Sequence, residues 1–347
     1  MIFWIFFISF LLICFGPFNI GGIRYKTLMK YLGCAFLIFI TIMRFDVGYD
    51  YAEYYHSIYP SIDYSEFDRV EPANKLIYEY VAQQNFPPLL FIIYGLITLG
   101  LFIYSFTKYT PNFGITIFVY LAFFYLGGLS TIRQEIAVSI TFFAYKFIRS
   151  KNLLSYIISC IIAVLFHDTA FVALIIYPFL RIKNYNLSIL ISIASIAVLC
   201  LFMQVLVNLP LFSPFYYYIM NADAFKGGGI TKFVYLFLSI FIFFLSFRNH
   251  NATLINMSLL CIIGATLMFL LGGHVGGRIA EYYMIYMCII IPTILFKYYK
   301  KYIITSFCSL SLWFIAGIYI TMQIPQKSPN TPYKTIFTED LKKPRFK

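Results

Sequence analysis

Long apolar runs separated by short polar loops make up most of this chain. A helix needs about 20 apolar residues to cross the hydrocarbon core of a bilayer, and tilt or flanking residues accommodate somewhat shorter or longer runs. On that criterion the pattern predicts about twelve membrane-spanning helices, near residues 1–18, 28–43, 87–106, 113–128, 131–149, 153–167, 169–181, 187–209, 231–247, 252–271, 279–296 and 303–322. We therefore expect an all-α polytopic membrane protein, with a single transmembrane bundle over residues 1–322 and a basic C-terminal tail over residues 323–347.

Two of the polar loops are long, residues 44–86 and residues 210–230. In the first, EPANKLIYEYVAQQ places apolar residues at the i, i+3, i+4, i+7 and i+8 positions of a helix, namely Ala73, Leu76, Ile77, Tyr80 and Val81. This spacing predicts an amphipathic helix that lies in the membrane interface or against the bundle. The second loop ends in a triple glycine, which favours a hinge over a phosphate-binding loop because no Lys-Ser/Thr pair follows it.

Composition and charge agree with a membrane protein. The chain is 61% hydrophobic and 12% charged, whereas a soluble domain carries about 25% charged residues. The net charge of +12 would suggest nucleic-acid binding in a soluble protein, but the lysines and arginines fall mostly in alternate short loops. By the positive-inside rule those loops are cytoplasmic, so both termini and both long loops are predicted to be external. The basic tail departs from this charge pattern.

A few polar side chains interrupt the predicted spans, where a charge costs about 2.5–3.5 kcal/mol at the helix centre. They occur in TIRQE, with Arg133, Gln134 and Glu135; in LFHDTA, with His167 and Asp168; and in GGRIAEYY, with Arg278, Glu281 and Tyr282. The predicted topology puts all of them at external helix ends, level with Arg44, Asp46, Asp50 and Tyr51 of RFDVGYDY. Each pair alone is also consistent with a structural ion pair or an interfacial histidine, but their placement on one face favours a shared external site.

The residue types indicate what such a site binds. Arginine forks match phosphate oxygens in a bidentate way, while carboxylates and tyrosines suit sugar hydroxyls and pyranose faces. A sugar joined to a lipid through a diphosphate satisfies both requirements. The chain has no H-E-x-x-H, G-x-S-x-G, Walker or C-x-x-C pattern, so protease, hydrolase and nucleotide chemistry are not indicated. Its seven cysteines lie in apolar runs and are predicted to be core residues rather than metal ligands or disulfides.

Several stretches, in this order, resemble the EpsG family of bacterial polysaccharide polymerases, which belong with the Wzy-type O-antigen polymerases. They are RFDVGYDYAEYY, EPANKLIYEYV, LSTIRQEIAVSITFFAYKF, LFHDTAFVALIIYPFL, FKGGGITKF and GRIAEYYMIY. The resemblance runs over nearly the whole chain. Two departures stand out: Thr131 replaces a second serine that is common in the family, and Asp168 and Thr169 follow His167 where Lys-Ser is common.

The resemblance implies a GT-C-like bundle in the bacterial cytoplasmic membrane that polymerises oligosaccharide repeat units on undecaprenyl diphosphate at the outer face. The growing glycan is the donor, a hydroxyl of a new repeat unit is the acceptor, and undecaprenyl diphosphate leaves. The implied partners are these lipid-linked substrates, the bilayer, and a chain-length regulator and flippase of the same pathway, with no nucleic acid. No metal or cofactor is required if arginines supply the positive charge.

The predicted roles follow from this chemistry. Arg133 and Arg278 hold the diphosphate with Arg44 as a third clamp, and either His167 or Asp46 takes the acceptor proton. The other predicted substrate-binding residues, which orient sugars or support the arginines, are Asp50, Tyr51, Gln134, Glu281 and Tyr282. Three alternatives remain open: a flippase or transporter for the same lipids, another GT-C-type glycosyltransferase, and an acyltransferase.

Overall fold

Helices dominate the part of the chain that the structure describes. The computed structural model describes residues 23–58, 70–206, 229–302, 305, 312–313 and 333–337. The predicted span 1–18, most of the span 303–322, residues 210–228 of the second long loop, and the tail apart from 333–337 lie outside the described residues.

The described helices follow the predicted apolar runs. In chain order they are α1 (Ile23–Ile42), α2 (Tyr51–His56), α3 (Pro72–Gln83), α4 (Pro88–Tyr109), α5 (Phe113–Tyr120), α6 (Leu126–Gly128), α7 (Ile132–Phe143), α8 (Tyr145–Arg149), α9 (Leu153–Val164), α10 (Ile176–Arg181), α11 (Tyr185–Leu206), α12 (Gly229–Arg248), α13 (Ala252–Leu270), α14 (Gly277–Met284) and α15 (Met287–Tyr298). The turns Leu121–Tyr125 and Gly272–Gly276 are π-helical, and Asp168–Ile175 and Lys300–Tyr302 are 3₁₀-helical. The two short strands β1 (Arg44–Phe45) and β2 (Lys334–Thr335) pair antiparallel.

The all-α class is confirmed, with this one small sheet added. Among the described residues, four helical stretches are long and apolar enough to cross a membrane: Pro88–Tyr109, Thr231–Arg248, Ala252–Leu270 and Gly277–Tyr298. Further described helices are apolar but shorter, such as Leu153–Val164. The total of about twelve spans therefore stays a prediction, as does the GT-C-like arrangement.

Short polar signals set where some helices begin. The Asn112 side chain accepts a hydrogen bond from the Ile115 amide at the start of α5, and Asn251 does the same for Leu254 at the start of α13. Asparagine is a favoured N-cap because its side chain satisfies one of the otherwise unpaired amides of the first turn. Pro88 begins α4, where a missing amide hydrogen costs nothing.

The described chain forms two compact units. The first unit draws on residues 1–143, 162–168 and 295–347, and the second on residues 144–161 and 169–294. In the second unit, α13 packs against α11, α12 and α14. The prediction of a single bundle over residues 1–322 is not tested by these contacts.

In the first unit, α4 packs against α1 and α7. The ends of α4 and α7 that carry Leu90 and Ile132 join α2 and α3 in a core that we call the aromatic core. Its buried members are Phe45, Tyr51, Tyr54, Tyr55, Ile58, Tyr78, Val81, Leu90, Phe91, Tyr94, Ile132 and Ile136. This core lies under most of the residues that the sequence singles out in the first unit.

Candidate functional site

Arg44 lies just beyond α1 and is almost fully buried, with 2% of its surface exposed. One guanidinium nitrogen donates hydrogen bonds to the carbonyls of Val47, at 3.1 Å, and of Leu129. The guanidinium carbon lies 5.2 Å from the centre of the Phe91 ring, within the range of a cation–π contact. These contacts are those of a brace between the 44–50 turn and the segment that precedes α7.

The turn after Arg44 packs tightly on the same segment. Gly48 has a φ of +114° and lies so close to the Leu129 carbonyl that a β-carbon would collide with it. The Tyr49 amide donates to Ser130 Oγ at 3.0 Å. Asp46 also adopts a left-handed backbone conformation, with a φ of 52°, which aspartate tolerates better than most residues.

Arg133, in the first turn of α7, forms an ion pair with Glu71, which directly precedes α3. Its terminal nitrogen lies 2.9 Å from Glu71 Oε2, and its guanidinium lies 5.5 Å from the centre of the Tyr54 ring. Arg133 keeps 22% of its side chain exposed, against 9% for Glu71. The alternative that Arg133 pairs with Glu135 is wrong. The two are separated by about 200° around the helix, and Glu135 instead accepts a hydrogen bond from Tyr120 at 3.0 Å.

Asn74 links this ion pair to the segment that carries His167. Its amide donates to Glu71 Oε2 at 2.9 Å and to the Phe166 carbonyl at 2.7 Å, while Tyr94 donates to its oxygen. The Asn74 side chain is fully buried. The Phe166 carbonyl that Asn74 contacts belongs to the residue directly before His167, which is 9% exposed.

The buried face of α3 differs from the predicted one. Asn74, Tyr78 and Val81 are buried, whereas Leu76 and Tyr80 are 69% and 52% exposed. The predicted helix is therefore present and packs against the first unit, but it is rotated from the expected orientation. The reason is that the Asn74 hydrogen bonds and the Tyr78 ring outweigh the burial of Leu76.

The tyrosines near the 44–50 turn, which we call the boundary turn, divide into buried and exposed ones. Tyr51 stacks on Phe91, with ring centres 4.0 Å apart, and is 1% exposed. Tyr49 is 48% exposed and is the better placed of the two to stack on a sugar. Burial raises the pKa of Tyr51 and of Tyr78, so both phenols stay protonated at neutral pH and cannot serve as general bases.

Gln134 and Glu135 point into the first unit, with 2% and 3% of their surface exposed. Glu135 and Arg44 both line a cavity of about 30 Å³, together with Tyr120 and Tyr125. A cavity of this volume has room for about one or two water molecules. In this structure Gln134 and Arg44 thus belong to the interior of the unit.

Comparison of the sequence with protein-family models identifies the family of this chain. The EpsG family model matches residues 27–335, which include the boundary turn, α3, α7 and α14. The chain belongs to the EpsG family. The resemblance read from the sequence motifs is thereby confirmed, and this is a family of polysaccharide polymerase-like membrane proteins. No curated protein and no solved structure matches the chain.

Three predicted residues of this EpsG-family protein lie in the second unit, on α14, whereas Asp50 lies in the first unit and is partly exposed. Tyr282 is fully buried, and Thr169 Oγ1 donates to its hydroxyl at 3.3 Å. Arg278 and Glu281, one helical turn apart, are each partly exposed. A common site for Arg278 and Arg133 stays a prediction.

Two further residues, Glu71 and Asn74, were missed by the reasoning from sequence. A signal was present, because Asn74, Tyr78 and Val81 also have the i, i+4, i+7 spacing of one helix face. A buried asparagine on that face needs partners, and Glu71 lies one turn before it. In the described part of this EpsG-family chain, no group of three or more histidine, cysteine or acidic residues is arranged to hold a metal ion.

Proposed function

We propose that this EpsG-family protein is a glycosyltransferase that polymerises lipid-linked oligosaccharide repeat units. The observation that carries the proposal is the state of Arg133. Glu71 and the Tyr54 ring fix its orientation, yet 22% of its side chain remains exposed. A pre-oriented arginine suits a diphosphate, because its planar fork binds two phosphate oxygens without having to be ordered first.

The reaction requires positive charge more than an acid at the leaving group. Transfer of the growing glycan breaks its bond to a lipid diphosphate, and the negative charge that develops is stabilised by preorganised cations. Arg133 supplies such a charge from the first unit, and the same role for Arg278 stays a prediction from the sequence. Arg44 is assigned the role of a brace, because it is buried and one of its guanidinium nitrogens donates to the Val47 and Leu129 carbonyls.

The attacking hydroxyl needs a base within hydrogen-bond reach. We propose Asp46 for this role, with His167 as the alternative. Asp46 directly follows Phe45, a member of the aromatic core, and 10% of its side chain is exposed. Asp50 and Tyr49, in the same turn, are placed to orient the sugar; Tyr51, whose ring is stacked on Phe91, supports the turn from inside.

We further propose that the lipid carrier is undecaprenyl diphosphate and that the reaction occurs at the outer face of the bacterial cytoplasmic membrane. Two features support this location. The positive-inside rule predicts that the 44–86 segment is external, and Arg133 is paired with Glu71 of that segment. A chain-length regulator and a flippase of the same pathway are the expected partners.

The test is replacement of Arg133 in the native host, with surface glycans and lipid-linked intermediates measured together. Arg133→Ala is expected to shorten the surface glycan to a single repeat unit while outward transport of the repeat units continues. Arg133→Lys should restore little, because an ammonium lacks the planar fork. Arg149→Ala, an exposed arginine on α8, is the matched control and should leave chain length unchanged.

Accumulation of repeat units on the cytoplasmic side in Arg133→Ala would point to a flippase instead. Full-length surface glycan in that variant, at normal protein levels, would remove Arg133 from the reaction and with it the basis of this proposal.

A further inference from the structure

The C-terminal tail returns to the boundary turn through a short β-ladder. β2 pairs antiparallel with β1, with Arg44 opposite Thr335 and Phe45 opposite Lys334. The Ile336 amide donates to the Met43 carbonyl at 3.0 Å, and the Tyr333 hydroxyl donates to the Ile40 carbonyl. Residues far apart in the sequence are thus joined by backbone hydrogen bonds at the end of α1.

Side chains of the tail also join the first unit. Ile336 packs against the aromatic core, and Tyr333 is close enough to Arg44, Tyr51 and Tyr125 to interact with them electrostatically. The segment 333–337 is therefore seated on the first unit by both main-chain and side-chain contacts.

This pairing brings a cation to Asp46. Lys334 Nζ lies 4.0 Å from Asp46 Oδ2, with 18% and 10% of the two side chains exposed. Because Lys334 is opposite Phe45 in the ladder, its position beside Asp46 is set by the backbone register rather than by chance contact of two mobile side chains. A nearby positive charge favours the ionised form of a carboxylate and limits its orientations.

We propose that Lys334 is a positioning residue for Asp46, and that the C-terminal segment 333–337 is thereby a component of the site. The inference rests on the proposed function, in which Asp46 removes the proton of the acceptor hydroxyl. Lys334 acts through Asp46: its ammonium orients the carboxylate, which the left-handed backbone of Asp46 presents from the turn. The sequence pattern predicts a separate basic tail, and the spacing of its residues does not indicate that Lys334 contacts Asp46.

The test uses the purified full-length protein in lipid nanodiscs, with lipid-linked repeat units isolated from the native host after deletion of this protein. Lys334→Met is expected to lower kcat about tenfold or more while KM for the repeat unit stays within about twofold, because a base that is poorly oriented slows chemistry rather than binding. Lys334→Arg should recover most of the loss, since it keeps the charge. Lys300→Met, an exposed lysine outside the ladder, is the matched control.

Three outcomes would overturn the inference: wild-type kcat in Lys334→Met, a rise in KM without a fall in kcat, or a loss that Lys334→Arg does not recover. The last would mean that the tail contributes packing alone. The variants Asp46→Asn and Arg133→Ala distinguish a failure of the Lys334 role from a failure of the proposed function. If both lose polymerisation while Lys334→Met does not, only the role of Lys334 fails; if both retain it, the proposed function itself fails.

Discussion

Arg133 owes its orientation to two other segments of the first unit. Glu71 forms an ion pair with one guanidinium nitrogen of Arg133, and the Tyr54 ring lies against the guanidinium. Part of the Arg133 side chain stays exposed. Arg44 is the contrasting case, since its hydrogen bonds to backbone carbonyls and its burial leave it inside the unit. Arg133 and Arg44 look alike in the sequence, but Arg133 keeps part of its side chain exposed whereas Arg44 is buried.

Gly48 is expected to be intolerant of a side chain. Gly48→Ala should destabilise the protein by about 1–3 kcal/mol, because alanine disfavours a φ of +114° and its β-carbon would collide with the Leu129 carbonyl. The thermal midpoint of the detergent-solubilised protein measures the loss. Gly127→Ala, at a glycine with open space around its added carbon, is the control and should have little effect; equal midpoints for the two variants would contradict the tight packing of this turn.

The sequence predicts the position of Arg133 and the polarity of its surroundings, but not its partner. Glu71 lies 62 residues away, and the spacing of residues within each segment carries no information about which distant segments meet. The same limit applies to Arg44, whose burial depends on carbonyls of residues 47 and 129. Local patterns identify the charged residues, whereas tertiary packing decides which of them face a ligand.

At the scale of elements, α3 packs against the first unit through the face that carries the polar Asn74, and not through its most apolar face. Asn74 contacts Glu71, Tyr94 and the Phe166 carbonyl, while Leu76 is exposed. Periodicity predicts the helix correctly and includes the buried Val81, but it weighs every apolar residue equally and so also includes Leu76, which is exposed. A buried amide with its hydrogen bonds satisfied fixes orientation more strictly than an apolar contact does.

Removal of the Asn74 amide should loosen α3. Asn74→Ala leaves the Phe166 carbonyl and the Tyr94 hydroxyl without this partner, at a cost of about 1–3 kcal/mol, and is expected to speed hydrogen exchange across residues 72–83. Gln83→Ala, an exposed amide on the same helix, should not. Unchanged exchange in Asn74→Ala would show that the apolar contacts of Tyr78 and Val81 are sufficient to hold the helix.

At the scale of the whole molecule, the β1–β2 ladder constrains the topology. Residues joined by backbone hydrogen bonds lie on the same side of the membrane, so residues 333–337 share a side with the 44–58 segment. The basic charges of the tail argue for the opposite side by the positive-inside rule, but late charges weigh less than early loops. The contact supports the prediction that residues 333–337 lie on the same side as the 44–86 loop.

Single-cysteine labelling is the check on this topology. In a background without the seven native cysteines, a cysteine at Leu76 and one at Phe337, both exposed positions, should react with an impermeant reagent added from outside. A cysteine at Lys151 should react only after the membrane is opened. Labelling of positions 76 and 337 from opposite sides would contradict the ladder, and labelling of both from the cytoplasm alone would invert the proposed site.

The central claim is that Arg133 stabilises a lipid diphosphate as it leaves during glycan polymerisation. Its most direct measurement is the rate of glycan elongation by purified protein in nanodiscs supplied with lipid-linked repeat units, together with release of the free lipid diphosphate. The account predicts a ladder of longer glycans for the wild type and for Arg149→Ala, and a rate at least about 100-fold lower for Arg133→Ala. A wild-type elongation rate in Arg133→Ala would contradict it.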